Sequence, residues 1–274
     1  MKAFRRLPPF LYRESAPEVG HLRRAMDAFY AQPVGYLAFE APSQQSPFWA
    51  PIITDIAART SQSGSCRVLE FGAGRTGFPD QLGELRGQVH VAAQDVTSSN
   101  IEYLSSCCDS VFVGDINQVE GEFDVIFSTF VWEHMTSPAA SLQHLQRLLA
   151  PGGTLYIVSP RYDLPFYVPP SARHYSFGTQ FRLSLMLALR RLSVRLGGPP
   201  DFLIHTDPAV LTIPWYRDAD AVHWVSRGDI RRAVGAGWDI EDMPMRANGI
   251  RAMFWIHFML LFVRIRAVAG NQPD

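Results

Sequence analysis

From Cys66 to Pro160 the sequence sets short apolar runs between segments of helical length: CRVLEFG (66–72), QVHVAAQD (88–95), SVFVGDI (110–116), FDVIFST (123–129) and GTLYIVSP (153–160). A strand with one wet face alternates apolar and polar residues, and four of these runs do not, so strands buried on both faces are predicted. Strands of that kind, separated by helix-sized crossovers, specify an α/β fold with a parallel sheet. Two further strand candidates lie near the end, WDIEDMPM (238–245) and AMFWIHFMLLFV (252–263). In the second, apolar residues fill both alternating faces, which predicts an inner strand. At twelve residues it is also too short to span a bilayer as a helix, which takes about 20.

The flanking regions read differently. HLRRAMDAFYAQ (21–32) and FWAPIITDIAAR (48–59) carry helical spacing among prolines, so residues 1–64 read as an N-terminal helical cap. Between Pro160 and Trp224 seven prolines surround one helical piece, FRLSLMLALRRLSVRL (181–196), which marks residues 163–223 as an insertion. SRGDIRRAVGAG (226–237) then offers a serine N-cap and a glycine stop around one helix.

With 274 residues, 47% of them apolar, the chain can bury a large core, and a formal charge of −1 provides no general attraction to nucleic acid or anionic lipid. The cysteines, Cys66, Cys107 and Cys108, fit neither a disulfide framework nor a zinc site and read as reduced thiols of a cytoplasmic protein. The basic start MKAFRRLPPFLYRES is not followed by an apolar stretch, so no export signal is expected. Lys2 is the only lysine, which excludes a Walker loop, a Schiff-base lysine and a lysine general base.

Within VLEFGAGRTG (68–77) three glycines follow an apolar run in G-x-G-x-x-G spacing. Such a strand-to-helix loop offers backbone N–H groups to a nucleotide, with Asp95 at the next strand end as a ribose acceptor. A nicotinamide dinucleotide would satisfy that much. Glu70, two residues before the first glycine, argues otherwise: a carboxylate there repels a diphosphate and welcomes a cation.

Glu70-Phe71-Gly72-Ala73-Gly74-Arg75-Thr76-Gly77 resembles the first motif of class I S-adenosylmethionine-dependent methyltransferases. The resemblance continues through Asp95, Gly114-Asp115-Ile116, FDVIFSTFVWEHM (123–135) and LLAPGGTLYIV (148–158), so it covers roughly residues 66–160 in order. It looks closest to the bacterial group acting on small molecules and glycans. The resemblance implies a Rossmann-like, mostly parallel seven-stranded sheet with helices on both faces, an antiparallel last strand beside the fifth, and a helical lid inserted after strand 5. The core would comprise residues 65–162 and 224–266. Glu70, Phe71, Gly72, Ala73 and Gly74 would lie by the methionine and ribose parts of S-adenosylmethionine. Asp95 would accept from ribose hydroxyls, Asp115 and Ile116 would meet adenine, and Ser128, Thr129 and Phe130 would approach the transferred methyl. Asp95 could equally cap a helix, and Asp115 could end a strand.

Methyl transfer is an in-line displacement, so alignment does most of the work, but a hydroxyl acceptor also needs a base. Glu133 and His134 fall just past the fourth strand, where open α/β sheets bind ligands, and His134 is the first candidate base. A Glu-His pair is common at this point in the group and can instead fix the loop; both readings stand. The insertion adds Asp163, Arg173, His174 and Tyr175 as substrate contacts. His205 with Asp207 imitates a metal pair but lacks a third ligand, so no metal is expected; His223 beside Trp224 reads as packing. On the helix at 181–196, Phe181, Leu185, Ala188, Leu189, Leu192 and Leu196 form an apolar stripe, with Arg182, Arg190, Arg191 and Arg195 elsewhere. Such a helix can lie weakly on a membrane, meet a lipid-linked substrate or pack on its own domain, and the sequence favours packing. The reading is O-methylation of a small-molecule, glycan or lipid-linked acceptor without nucleic acid, the alternatives being an NAD(P)-dependent oxidoreductase or a catalytically silent binding protein of the same fold.

Overall fold

The computed structural model describes residues 10–32, 46–162, 164, 167–214, 216, 218–245 and 249–268. Asp163, one of the substrate-contact candidates, lies outside them. Near the N-terminus come β1 (Leu11–Arg13), α1 (Pro17–Tyr30) and α2 (Trp49–Ser63). The core continues with β2 (Cys66–Phe71), α3 (Phe78–Gln81), β3 (Val89–Asp95), α4 (Ile101–Cys107), β4 (Ser110–Val113), β5 (Phe123–Thr129), α5 (Pro138–Arg147) and β6 (Leu149–Pro160). Then follow α6 (Phe177–Arg195), β7 (Leu203–His205), α7 (Arg227–Ala233), β8 (Trp238–Asp242), α8 (Ile250–Phe254) and β9 (Leu260–Ala267).

Seven strands form one sheet in the order β4-β3-β2-β5-β6-β9-β8. The five from β4 to β6 pair in parallel, while β9 runs antiparallel to both β6 and β8. Strand side chains alternate between faces. Val68, Val125, Phe127, Tyr156 and Val158 therefore enter one core with Trp49, Ile52 and Ile56 of α2. Leu69, Ile126, Leu155 and Ile157 enter the other with Leu142 and Leu145 of α5 and Ile230 of α7. This two-sided burial is why the runs carry no polar alternation.

The predicted inner strand at 252–263 is corrected. Residues 250–254 are α-helical, Trp255–Met259 form a π-turn, and the strand begins only at Leu260. Pairing explains the boundary. Pro160, the last residue of β6, faces Leu260, and Asp242, the last of β8, faces Val263, so residues before 260 have no strand beside them. Their backbone has no ladder to join and bonds largely within itself, as a helical turn allows.

The insertion helix departs from expectation as well. α6 begins at Phe177, and it is Leu183, Met186 and Leu187 that pack against Leu11, Val168, Leu203 and Trp224. The stripe at Phe181, Leu185, Leu189, Leu192 and Leu196 faces solvent. Ser226 precedes α7, but its side chain makes no capping bond.

The N-terminal segment joins the insertion. β1 pairs antiparallel with β7, and Val19, Leu22 and Met26 of α1 pack on Ile204, Val210, Ala219 and Val222. Between these elements Glu14 reaches the start of α5, accepting from Ala139 N at 2.7 Å and Ala140 N at 3.3 Å where Ser137 supplies no cap of its own. A carboxylate on two free helix N–H groups is favoured by hydrogen bonding and by the helix dipole. Glu14→Ala should therefore cost about 1 kcal/mol, read as a lower thermal midpoint, and an unchanged midpoint would show that the cap contributes nothing.

Candidate functional site

The loops at the carboxyl ends of β2, β3, β4 and β5 are stitched to one another. Gln94 Oε1 accepts from Gly72 N at 3.1 Å, its Nε2 donates to Gly114 O at 2.6 Å, and its carbonyl accepts from Ala73 N at 2.9 Å. Asp95 accepts from Gly74 N and Thr97 N, at 2.8 and 2.9 Å, and from Asn100 Nδ2. Burial raises the Asp95 pKa, and the hydrogen bonds from Thr97, Asn100 and Gly74 offset that only in part. Asp95 thus holds the glycine turn, a role the sequence did not show, while Oδ1, with one donor, keeps capacity for another.

Gly72 has φ +66 and Gly74 φ +56, the left-handed region that side chains avoid. A Cβ at Gly72 would lie 2.4 Å from Val131 Cγ2, so the β5 loop packs against bare backbone there. Phe71 is buried in the core and brings only its backbone to the turn, and Ile116 is likewise buried. Asp115 accepts from Asn117 N and Asn117 Nδ2, at 2.9 and 2.7 Å. It therefore does cap the short turn that follows β4.

Glu70 is fully enclosed and accepts from the Thr76 hydroxyl, while its Oε2 has no partner. Burial pushes its pKa up to about 8. The carboxyl is thus largely protonated at neutral pH until a cation arrives, so its charge is conditional on the ligand. Ser128 Oγ and Thr129 Oγ1 are also buried without partners. Phe130 has φ +59, an uncommon conformation for a bulky residue, fixed by its N–H on Val158 O and by ring contacts with Phe48 and Trp255. Three enclosed orphan oxygens, a carboxyl that ionises beside a cation and a turn open only to backbone fit a positively charged, hydroxyl-bearing ligand.

Next along the edge is the turn holding Glu133 and His134. Val222 N and His223 N both donate to Glu133 O, so the insertion docks on this turn and delivers Asp218 and Asp220 to it. His134 Nδ1 lies 3.4 Å from Asp220 Oδ2, an ion-pair separation with no hydrogen bond closed at Nδ1, and Nε2 is 4.0 Å from Glu133 Oε1. Tyr30 of α1 donates to Asp220 at 2.8 Å, and Ser159 donates to Glu133 Oε2 at 2.9 Å. Burial pushes the Glu133 pKa up to about 7, against the opposing pull of His134. For His134 burial favours the neutral ring, but Asp220, Glu133 and Asp218 together outweigh it and the pKa rises. Glu133, His134 and Asp218 offer ligand atoms within 4.8 Å of one another. The same acids that could hold a metal raise the His134 pKa, so the imidazole competes with any metal for them.

His174 is not brought to this turn. Its partners are Ser171 O at 3.1 Å, Asp207 at 3.8 Å and the Tyr175 ring, all within the insertion. Tyr175 hydrogen-bonds both His205 and Asp207, while burial lowers the His205 pKa to about 3 and keeps that ring neutral. His223 bonds Trp132 O and is buried, as packing requires. Of the site residues the sequence did not single out, Gln94 had one signal, an amide inside an apolar strand. Asp218, Asp220, Tyr30 and Val131 had none, because only folding brings them here.

The profile of the family described as "Methyltransferase domain" matches residues 21–236. An uncharacterized protein of Synechococcus sp. is 30% identical over 110 residues, 36% of this chain and 26% of that protein, so the chain spans about a quarter of its length. Among solved structures, an S-adenosylmethionine-dependent methyltransferase from Mesorhizobium loti aligns with a TM-score of 0.50 at 16% identity, over 80% of this chain and 97% of that one. The 1,6-didemethyltoxoflavin-N1-methyltransferase of Burkholderia thailandensis aligns at 0.48 and 14% identity, over 94% and 95%. At 16% identity the likeness to the Mesorhizobium loti enzyme shows the fold.

The Glu70 geometry has two measurable consequences. Its pKa is raised from 4.5 to about 8, so the stability it leaves to the unliganded fold is full below pH 4.5 and is lost as pH climbs through about 8. Glu70→Gln should flatten that decline and raise the unliganded thermal midpoint at pH 8. It should also weaken S-adenosylmethionine binding about tenfold or more, since a charge-assisted contact is lost. A midpoint-versus-pH curve identical to the parent's would show that Glu70 is ionised already. Gly72→Ala should abolish cofactor binding, and adding Val131→Ala should recover part of it by removing the clash while leaving the φ strain; titration calorimetry of both variants checks this.

Proposed function

The chain belongs to the methyltransferase-domain family, and from its identity as a class I enzyme using S-adenosylmethionine we propose that it methylates a hydroxyl of a small-molecule or glycan acceptor. Membership in that family leaves the nicotinamide alternative without support. When bound, the cofactor supplies a methyl carbon already activated by positive sulfur. Glu70 would ionise against that charge, and the Gly72–Gly74 backbone would hold the methionine and ribose parts. Asp95 Oδ1 would accept from a ribose hydroxyl, Asp115 and Ile116 would border adenine, and Ser128, Thr129 and Phe130 would line the methionine end. We take residues 65–162 and 224–266 as the catalytic core, with 163–223 closing over the acceptor.

One observation carries the preference for oxygen: His134 sits between Asp220 and Glu133 at the edge where the cofactor turn ends. Asp220 lies 3.4 Å from Nδ1, near enough to stabilise the charged ring, and Nε2, at 4.0 Å from Glu133, is beyond hydrogen-bond range and free to take a proton. An acceptor hydroxyl loses that proton as its oxygen attacks, and the imidazolium formed is stabilised by both acids. Glu133 is a positioning residue here, fixed by Ser159 and by its carbonyl bonds to the insertion. His174, tied to Asp207, would contact the acceptor's periphery and does not act as base.

Release of S-adenosylhomocysteine with a panel of sugar and phenol acceptors tests turnover, and its absence with every acceptor would favour a silent binding role. His134→Gln should lower kcat about 100-fold or more while cofactor affinity holds. The activity should rise with pH through an apparent pKa above 6.5, because the neutral ring is the base. Asp220→Asn removes the largest stabiliser of the charged ring, so this limb should move to lower pH; an unmoved limb would exclude His134 as the titrating base.

A further inference from the structure

Two exposed apolar segments are fastened to adjacent residues at the carboxyl end of β6. On α6, Phe177, Phe181, Leu185, Leu189, Leu192 and Leu196 recur every three or four residues along one face, and the terminal two are 82% and 80% exposed. On α8 and the π-turn, Ile250, Met253, Phe254 and Phe258 are exposed, Ile250 at 83%. Arg191 of α6 donates to Tyr162 O, and Arg161 N donates to Met259 O at 2.8 Å. The two patches therefore flank the strand end beside which Glu133 and Phe130 sit.

The charge on α6 is one-sided. Between Asp163 and Asp201 the chain has five arginines and no carboxylate, although the whole chain carries a net charge of −1; beyond α8, Arg264 and Arg266 are paired with Glu241 and Asp239 of β8 and leave no unopposed charge. Arg190 is held by Asp201 and Arg191 by Tyr162, so these two are structural. Arg182 and Arg195 are exposed beside the apolar stripe. An apolar stripe flanked by Arg182 and Arg195, on a helix with no carboxylate of its own, suits the interface of an anionic bilayer, into which the leucines and phenylalanines sink while guanidinium groups reach the headgroups. A second copy of the chain is a poorer occupant, because a two-fold contact through this face would set arginines against arginines.

We infer that α6 and the α8 turn form a docking surface for an anionic lipid bilayer, which presents the catalytic edge to the membrane interface. No helix among the described residues is long and apolar enough to cross the membrane, so the contact is peripheral. The docking stands on exposure and charge alone; its consequence, that the acceptor is lipid-linked, rests on the methyl-transfer reading.

Co-sedimentation of the whole protein with vesicles tests the inference, using phosphatidylcholine alone and with about 30% phosphatidylglycerol. Binding is expected to the anionic vesicles, weaker by roughly tenfold or more on neutral ones and at high salt. Leu185→Glu with Leu189→Glu, and separately Arg182→Glu with Arg195→Glu, should each weaken it by about the same factor. Circular dichroism and calorimetric affinity for S-adenosylhomocysteine should not change. Absence of binding to either vesicle, or binding that ignores both double variants, overturns the inference. So does a dimer in sedimentation velocity that Leu185→Glu with Leu189→Glu dissolves, since a second copy then covers the face. Vesicle binding that persists in protein with no affinity for S-adenosylhomocysteine would leave the docking standing and remove the methyl-transfer reading.

Discussion

Gln94 is the side chain on which the cofactor edge depends. It occupies both ends of its amide, one on Gly72 and one on Gly114, and so ties the loops after β2 and β4 to the strand between them. An amide at 4% exposure would be costly without such bonds, and with them it fixes the turn's backbone at positive φ. Asp95 performs the adjoining task on Gly74. The glycine turn is thus held by the strand next to its own, and the approach of Val131 to bare Gly72 backbone follows from that placement.

Charge at the edge is organised by burial. Glu70 and Glu133 are enclosed, and burial moves both pKa values up, to about 8 and about 7. Glu70 has only the Thr76 hydroxyl opposing that shift, whereas Glu133 has His134 and Ser159. The first is a carboxyl that becomes charged when a cation is supplied; the second sits beside a histidine whose own pKa its acidic neighbours raise. Two buried acids, one in the last residues of β2 and one in the turn after β5, therefore differ in role through their neighbours.

The insertion contributes more than a cover. It pairs with β1, buries one face of α1, and places Asp218 and Asp220 over the Glu133 turn. Tyr30 completes this by bonding Asp220, so a residue from the N-terminal helix, one from β5's loop and one from the insertion meet around a single imidazole. On its outer side α6 keeps an apolar stripe in solvent because its inner side is already filled by Leu183, Met186, Leu187 and Val194. A helix apolar on two faces can bury only one of them within a single chain.

The sequence by itself determined the sheet and the cofactor turn. Uniformly apolar runs with helix-sized gaps admit few packings, and glycines at 72 and 74 behind an acid admit few ligands, because those constraints act between residues close in the chain. FDVIFST matches β5 residue for residue for that reason. Tertiary structure alone decided the rest. The run at 252–263 reads as one inner strand, and only the ends of β6 and β8 settle where pairing stops. The stripe on α6 was legible as a stripe, but which face turns inward depends on Leu11, Leu203 and Trp224, none of them its neighbour in sequence. Asp220 reaches His134 across 86 residues, and no periodicity encodes such a contact; it exists because a folded insertion carries it there.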